Sequence, residues 1–152
     1  MTQQLHGWPG AALMSGLAGS AAVTVVHEVG KRVTGKAPRM DVLGRKFIEH
    51  GLEAVGIEPP RRNVMQGVAL VGDLVSNGLY YSGVGLGEKK HAVRNGLLLG
   101  VAGGVAAVAL PGVLGLPTKA SRRTWETMGM TVLWYVVGGV VAGVVYQGMG
   151  EG

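Results

Sequence analysis

The chain has 152 residues, 28 of them glycine and none cysteine, and a formal net charge of +5. That length suits one domain rather than two, and the missing cysteines exclude disulfides, thiolate metal sites and a thiol nucleophile. Only 15% of residues are charged while 47% are hydrophobic, which argues against a disordered chain and for helices packed closely in lipid.

The N-terminus, MTQQLHGWPG, lacks the basic stretch of a signal peptide, so an uncleaved first span is expected over about residues 9–29. Small residues such as Ser15, Gly16, Gly19 and Ser20 interrupt its apolar run. Trp8 sits where an interfacial belt residue belongs. The far end turns polar at His27, Glu28, Lys31 and Arg32. His27-Glu28 begins a zinc-protease HExxH pattern, but the second histidine would fall at position 31, which is Lys31. No metal and no cofactor are expected.

After Pro38, residues 42–55 read as an amphipathic helix. Leu43, Phe47, Ile48, Leu52 and Val55 share one face, opposite Arg45, Lys46, Glu49, His50 and Glu53. Asp41 is the expected N-cap and Gly56 the residue just past the end. Beside membrane spans, such a helix is expected to lie in the interface plane.

The second span, about residues 64–84, carries Asp73 near its middle. Gln66, Asp73, Asn77, Tyr80 and Tyr81 fall on one helical face together with Leu70. An ionised Asp at mid-membrane costs about 2.5–3.5 kcal/mol, so this stripe must face other helices or water. Asn63 and Gln66 predict a capping box at its start. The GVGLGEKK that follows has glycine spacing like a phosphate loop, but no strand precedes it and no GK[ST] follows, so it reads as a turn.

The third span, about 95–116, holds Gly96, Gly100 and Gly104 at four-residue spacing, and Pro111 with Gly112 should kink or fray its end. The fourth, about 125–147, holds Gly139 and Gly143. These ridges predict close contact between spans of one chain, with a homodimer as the alternative. Trp125 and Tyr146 are expected as belt residues and Trp134 and Tyr135 as interior ones.

Eleven of the 14 basic residues lie in the first and third loops and three in the second. The positive-inside rule then puts those loops in the cytoplasm and both termini outside, in a multi-pass protein of the inner cell membrane. The basic excess is topological, and no nucleic acid is expected. The predicted fold is all-α, a four-helix up-and-down membrane bundle with one interfacial helix.

Two places could carry chemistry. Asp73, with Asn77, Gln66, Tyr80 and Tyr81 beside it, is a candidate ion or proton site. A polar cluster at the cytoplasmic end would gather His27, Glu28, Arg39, Asp41, Arg45, Arg122, Arg123 and Glu126, with Glu28 paired to an arginine and His27 towards the head groups. Ser76 has no histidine at its depth to act as base, and no catalytic residues are expected. The function expected is a small transporter or channel-like protein, either homo-oligomeric or partnered in the bilayer. An accessory subunit of a membrane complex and an enzyme acting on lipid head groups are the alternatives.

Overall fold

The computed structural model describes residues 9–149; Trp8 and His6 lie outside them. The described residues form helices and turns with no strand. In order these are α1 (Pro9–Val33), α2 (Met40–Ala54), α3 (Arg62–Tyr81), α4 (Ala92–Val113), α5 (Lys119–Arg122) and α6 (Trp125–Gly148), with 3₁₀ turns at Ser82–Gly85 and Lys89–His91. Among the described residues, three stretches are long and apolar enough to cross a membrane: α1, the run Lys89–Val113 that contains α4, and α6. The helix expected as the second span, α3, is not among them. Arg62, Asn63, Gln66, Asp73, Ser76 and Asn77 dilute its valines and leucines.

Glycine sets the tightest contact, between α4 and α6. A Cβ on Gly96 would strike the Gly139 carbonyl oxygen, and one on Gly139 would strike the Gly96 oxygen. A Cβ on Gly100 would lie 2.5 Å from Val136 Cα, and one on Gly104 2.6 Å from Val132 Cα. The numbering rises along α4 as it falls along α6, so the two run antiparallel. The ridge residues Gly96, Gly100, Gly104, Gly139 and Gly143 therefore meet within one chain, where backbone replaces side chain in the contact.

On the other side of α6 lies α1, with Gly19 so close to Gly138 that a Cβ would sit 2.5 Å from its oxygen. Next to α1 comes α3, where the Gly78 carbonyl fills the space a Gly16 side chain would need. Ser20 Oγ donates to Leu74 O at 3.0 Å across this contact. The spatial order is thus α3, α1, α6, α4. The remaining pair, α3 and α4, meets thinly, through Tyr80 OH donating to Leu99 O at 2.7 Å. A gap opens between them on one side of that bond.

The core between these helices holds Val23, Tyr81, Tyr135 and Tyr146. Trp134 and Tyr135 are buried within it, and Trp125 is exposed at the start of α6. Tyr146 departs from the expected belt position. It is only 5% exposed and packs among Ala12, Gly85 and the core, because α6 turns this face towards α1.

Helix starts follow other residues than those expected, while Gly56 ends α2 where the sequence placed it. Because α2 begins at Met40, Asp41 lies in its first turn and no side chain caps it. At its end Gly56, at φ 75°, gives N–H to Glu53 O, and Ile57 N–H goes to Leu52 O, closing a Schellman motif. Gly115, at φ 69°, ends α4 the same way, with Leu116 N–H to Pro111 O at 2.8 Å. Pro111 thus sits in the final turn of α4 and the helix stops two residues later. Asn63 lies inside α3, which starts at Arg62, so the expected capping box does not form. A side-chain cap does form at the start of α6, where Thr124 Oγ1 accepts the Thr127 N–H at 3.1 Å.

At one end of the molecule the loop before α2 is tied to the corner around α5. Arg39 N–H donates to Ala120 O at 2.7 Å, and Thr127 Oγ1 donates to Lys36 O at 2.8 Å. This holds α2 across α3, with Leu43 buried against Leu116 and Ala120, while Phe47 and Val55 stay exposed.

Candidate functional site

Asp73 sits level with the middle of its neighbours, near Ser20 of α1, Gly103 of α4 and Tyr135 of α6. The half-buried carboxylate takes one side-chain hydrogen bond, from Asn77 Nδ2 to Oδ1 at 2.9 Å, one helical turn along α3. Among the described residues no basic side chain pairs with it. A carboxylate flanked only by an amide has neither an opposite charge nor enough donors to compensate fully for its lost water.

Two cavities meet at Asp73. The first, about 240 Å³, lies between α1, α2 and α3 and is lined by Thr24, His27, Glu28, Lys31, Asp41 and Gln66 besides Asp73. It leads from the carboxylate towards the charged end. The second, about 390 Å³, occupies the gap between α3 and α4. Asn77, Tyr80 and Tyr135 surround its polar end, Gly103, Ala106 and Leu110 form its wall, and Leu43 and Phe47 of α2 border it. Gly103 leaves room for both tyrosines: a Cβ there would be 3.0 Å from a ring carbon of each.

The stripe expected on α3 does not act as one surface. Asp73 and Gln66 share the first cavity, and Asp73, Asn77 and Tyr80 share the second. Tyr81 turns away, fully buried, and its hydroxyl donates to Tyr135 O at 2.8 Å, tying α3 to α6. Leu70 is exposed on the outside except where it edges the first cavity. Tyr135, expected to pack in the interior, belongs to the site; its place beside Asp73 follows from the parallel register of α3 and α6 on either side of α1, which periodicity along one helix does not reveal.

The charged cluster divides in two. Near the first cavity, Glu28 pairs with Lys31 at 2.5 Å, and Arg39 holds Asp41 through Nε and Nη2, both at 3.1 Å. Glu28 thus pairs with a lysine one turn along its own helix and not with a loop arginine. Burial disfavours the charge on Asp41, but the Arg39 hydrogen bonds and the Lys31 and Arg39 charges prevail and hold its carboxyl below the ordinary carboxylate range. The same bond raises the Arg39 guanidinium. Around α6, Glu126 pairs with Lys36 at 2.7 Å and Arg123 donates to Gly35 O. Arg122 lies towards Gly112, and no ion pair engages it or Arg45 among the described residues. His27 does not face outward. It is 8% exposed, its ring lies 4.9 Å from that of Trp134, and its Nε2 is buried without a partner on the wall of the first cavity.

Among the described residues no three histidines, aspartates or glutamates stand close enough to hold a metal ion. The groups that do converge can bind a proton or one positive charge at Asp73. Polar side chains connect that point to one end, and a mostly apolar gap opens on the other side. No protein-family profile, no curated protein and no solved structure matches this chain.

Proposed function

We propose that the chain is a small multi-pass membrane protein of transporter or channel type, with Asp73 as its proton- or cation-binding group. The observation that carries this is the carboxylate standing without a basic partner where two cavities join. An intramembrane ionisable group kept unpaired at such a junction marks a path rather than a strut.

In this reading α3 also crosses the membrane, as the second of four spans in an up-and-down bundle. Its 20 residues reach about 30 Å, the thickness of a hydrocarbon core. Val64, Val68, Val71, Val75 and Leu79 are exposed on its outer face, where lipid would cover them. Helix α2 lies at the interface, with Phe47 and Val55 towards the head groups. The fastened loops carry most of the basic residues, which supports an inner-membrane orientation with that end cytoplasmic and both termini outside.

The test is proton or cation flux into liposomes holding the purified protein, for wild type and Asp73→Asn. The groups around Asp73 that bear on its protonation are Asn77, Tyr80 and Tyr135, and across the first cavity His27, Glu28, Lys31 and Asp41. Flux that depends on pH in the wild type and vanishes in Asp73→Asn is the expected result. Equal flux in both proteins, with helicity and mass unchanged, sinks the reading.

The apolar faces of α3 and α4 support a second reading, an accessory subunit that those faces dock onto a larger complex. Stoichiometric co-purification with one membrane protein in mild detergent, together with flux that ignores Asp73, would decide for it.

A further inference from the structure

Asp73 calls for a positive charge, and the second cavity restricts what can carry it. A hard metal cation such as Ca²⁺ or Mg²⁺ needs about six or more oxygen ligands at short range. Here Asp73 and Asn77 supply side-chain oxygens and the Tyr135 hydroxyl lies beside Asn77, while Tyr80 OH donates to Leu99 O. Apart from Ser76, whose hydroxyl donates to Asp73 O, the rest of the lining is apolar and includes Gly103, Ala106, Leu110 and the α2 side chains Leu43 and Phe47, which cannot replace a hydration shell. A cation that carries little water of its own suits these walls.

The aromatic rings add to this preference. Tyr80 and Tyr135 flank the polar end of the gap, and a weakly hydrated cation is attracted to ring faces. A volume of about 390 Å³ falls within the range of sites for small organic molecules. The gap also opens sideways, between two helices joined there by the Tyr80–Leu99 bond, beside the exposed Val75 and Leu110. A guest arriving from an apolar surface reaches Asp73 without crossing the charged end.

We propose that the gap between α3 and α4 binds a monovalent organic cation with an apolar body, its charge held by Asp73 and its body lying against Ala106, Leu110 and Phe47. This rests on Asp73 being the cation-binding group and names the class of ligand it takes. The proton and the organic cation occupy the same carboxylate, so they exclude one another there.

The test uses tetraphenylphosphonium and, as an anion of the same shape, tetraphenylborate, in equilibrium dialysis against the protein in nanodiscs and against empty nanodiscs. Saturable binding of the phosphonium in excess of empty discs, with no such binding of the borate, is the expected result. Asp73→Asn should weaken it at least tenfold, and Ala106→Trp, which fills the gap and leaves the carboxylate in place, should do the same. Leu110→Trp replaces the latter if Ala106→Trp loses helicity. Equal binding of both ions, or saturable phosphonium binding that survives either kind of variant, overturns the proposal. If the phosphonium fails to bind while Asp73-dependent proton flux persists, the ligand class is wrong and the functional reading stands. If both are absent, both fail.

Discussion

Gly100→Ala adds one methyl group at the crossing of α4 and α6. The new Cβ would lie 2.5 Å from Val136 Cα and 2.7 Å from Tyr135 O. Ordinary contact begins near 3.4 Å, so the helices must part by close to 1 Å. Both obstructing atoms are backbone, and no rotamer change relieves them. A separation of that size forfeits about a quarter to a half of the dispersion energy of each atom pair along the seam, and overpacked cores lose about 1–3 kcal/mol. Alanine returns about 1 kcal/mol as the better helix former, which leaves a net loss of up to about 2 kcal/mol. Gly129→Ala is the matched control. Gly129 lies on the exposed side of α6 with nothing within 4 Å, so only the gain of up to about 1 kcal/mol applies. Denaturant unfolding in micelles, followed by the fluorescence of buried Trp134, reads both. Gly100→Ala should unfold earlier than wild type and Gly129→Ala no earlier. A Gly100→Ala protein as stable as the control refutes the close-contact account of the seam.

Three further outcomes follow from the same geometry. Tyr81→Phe removes the bond to Tyr135 O and should cost about 0.5–1.5 kcal/mol in the same assay. Thr124→Ala removes the N-cap of α6 and should cost about 1 kcal/mol, with Thr124→Ser largely restoring it. Asp41, whose folded carboxyl sits below its ordinary value near 3.8, contributes stability that is present above that value and is lost as pH falls through the lower folded one. The melting temperature should therefore drop in that acid window, and Arg39→Gln should shrink the drop; an unchanged profile in Arg39→Gln would show that the pair does not govern it.

Helix positions were largely legible in the chain because runs of apolar and small residues, ended by Gly56, Gly115 and the prolines, leave few other options. What was not legible depends on partners distant in sequence. Asn63 and Gln66 have the spacing of a capping box, but α3 starts one residue earlier and the pattern falls inside it. Tyr146 occupies a terminal position on α6 and still goes to the core, because the crossing with α1 leaves a space beside Gly85. Asp73 and Asn77 were readable as a pair from their four-residue spacing, and the bond between them is local. Tyr135, Thr24 and Lys31, which complete the two cavities, enter only through the register between helices. The split of Tyr80 from Tyr81 has the same origin: adjacent residues on a helix point about 100° apart, and here two different neighbours receive them.

The hydrogen bonds from Arg39 to Ala120 and from Thr127 to Lys36 have a mechanical consequence. They latch the stretch that roofs both cavities to the corner leading into α6, so α2 cannot swing aside like a free flap. Any widening of the entrance beneath it must either break these two bonds or drag the start of α6 along. In the proposed reading, traffic past Asp73 on that side is thereby geared to the helix that also presents Tyr135.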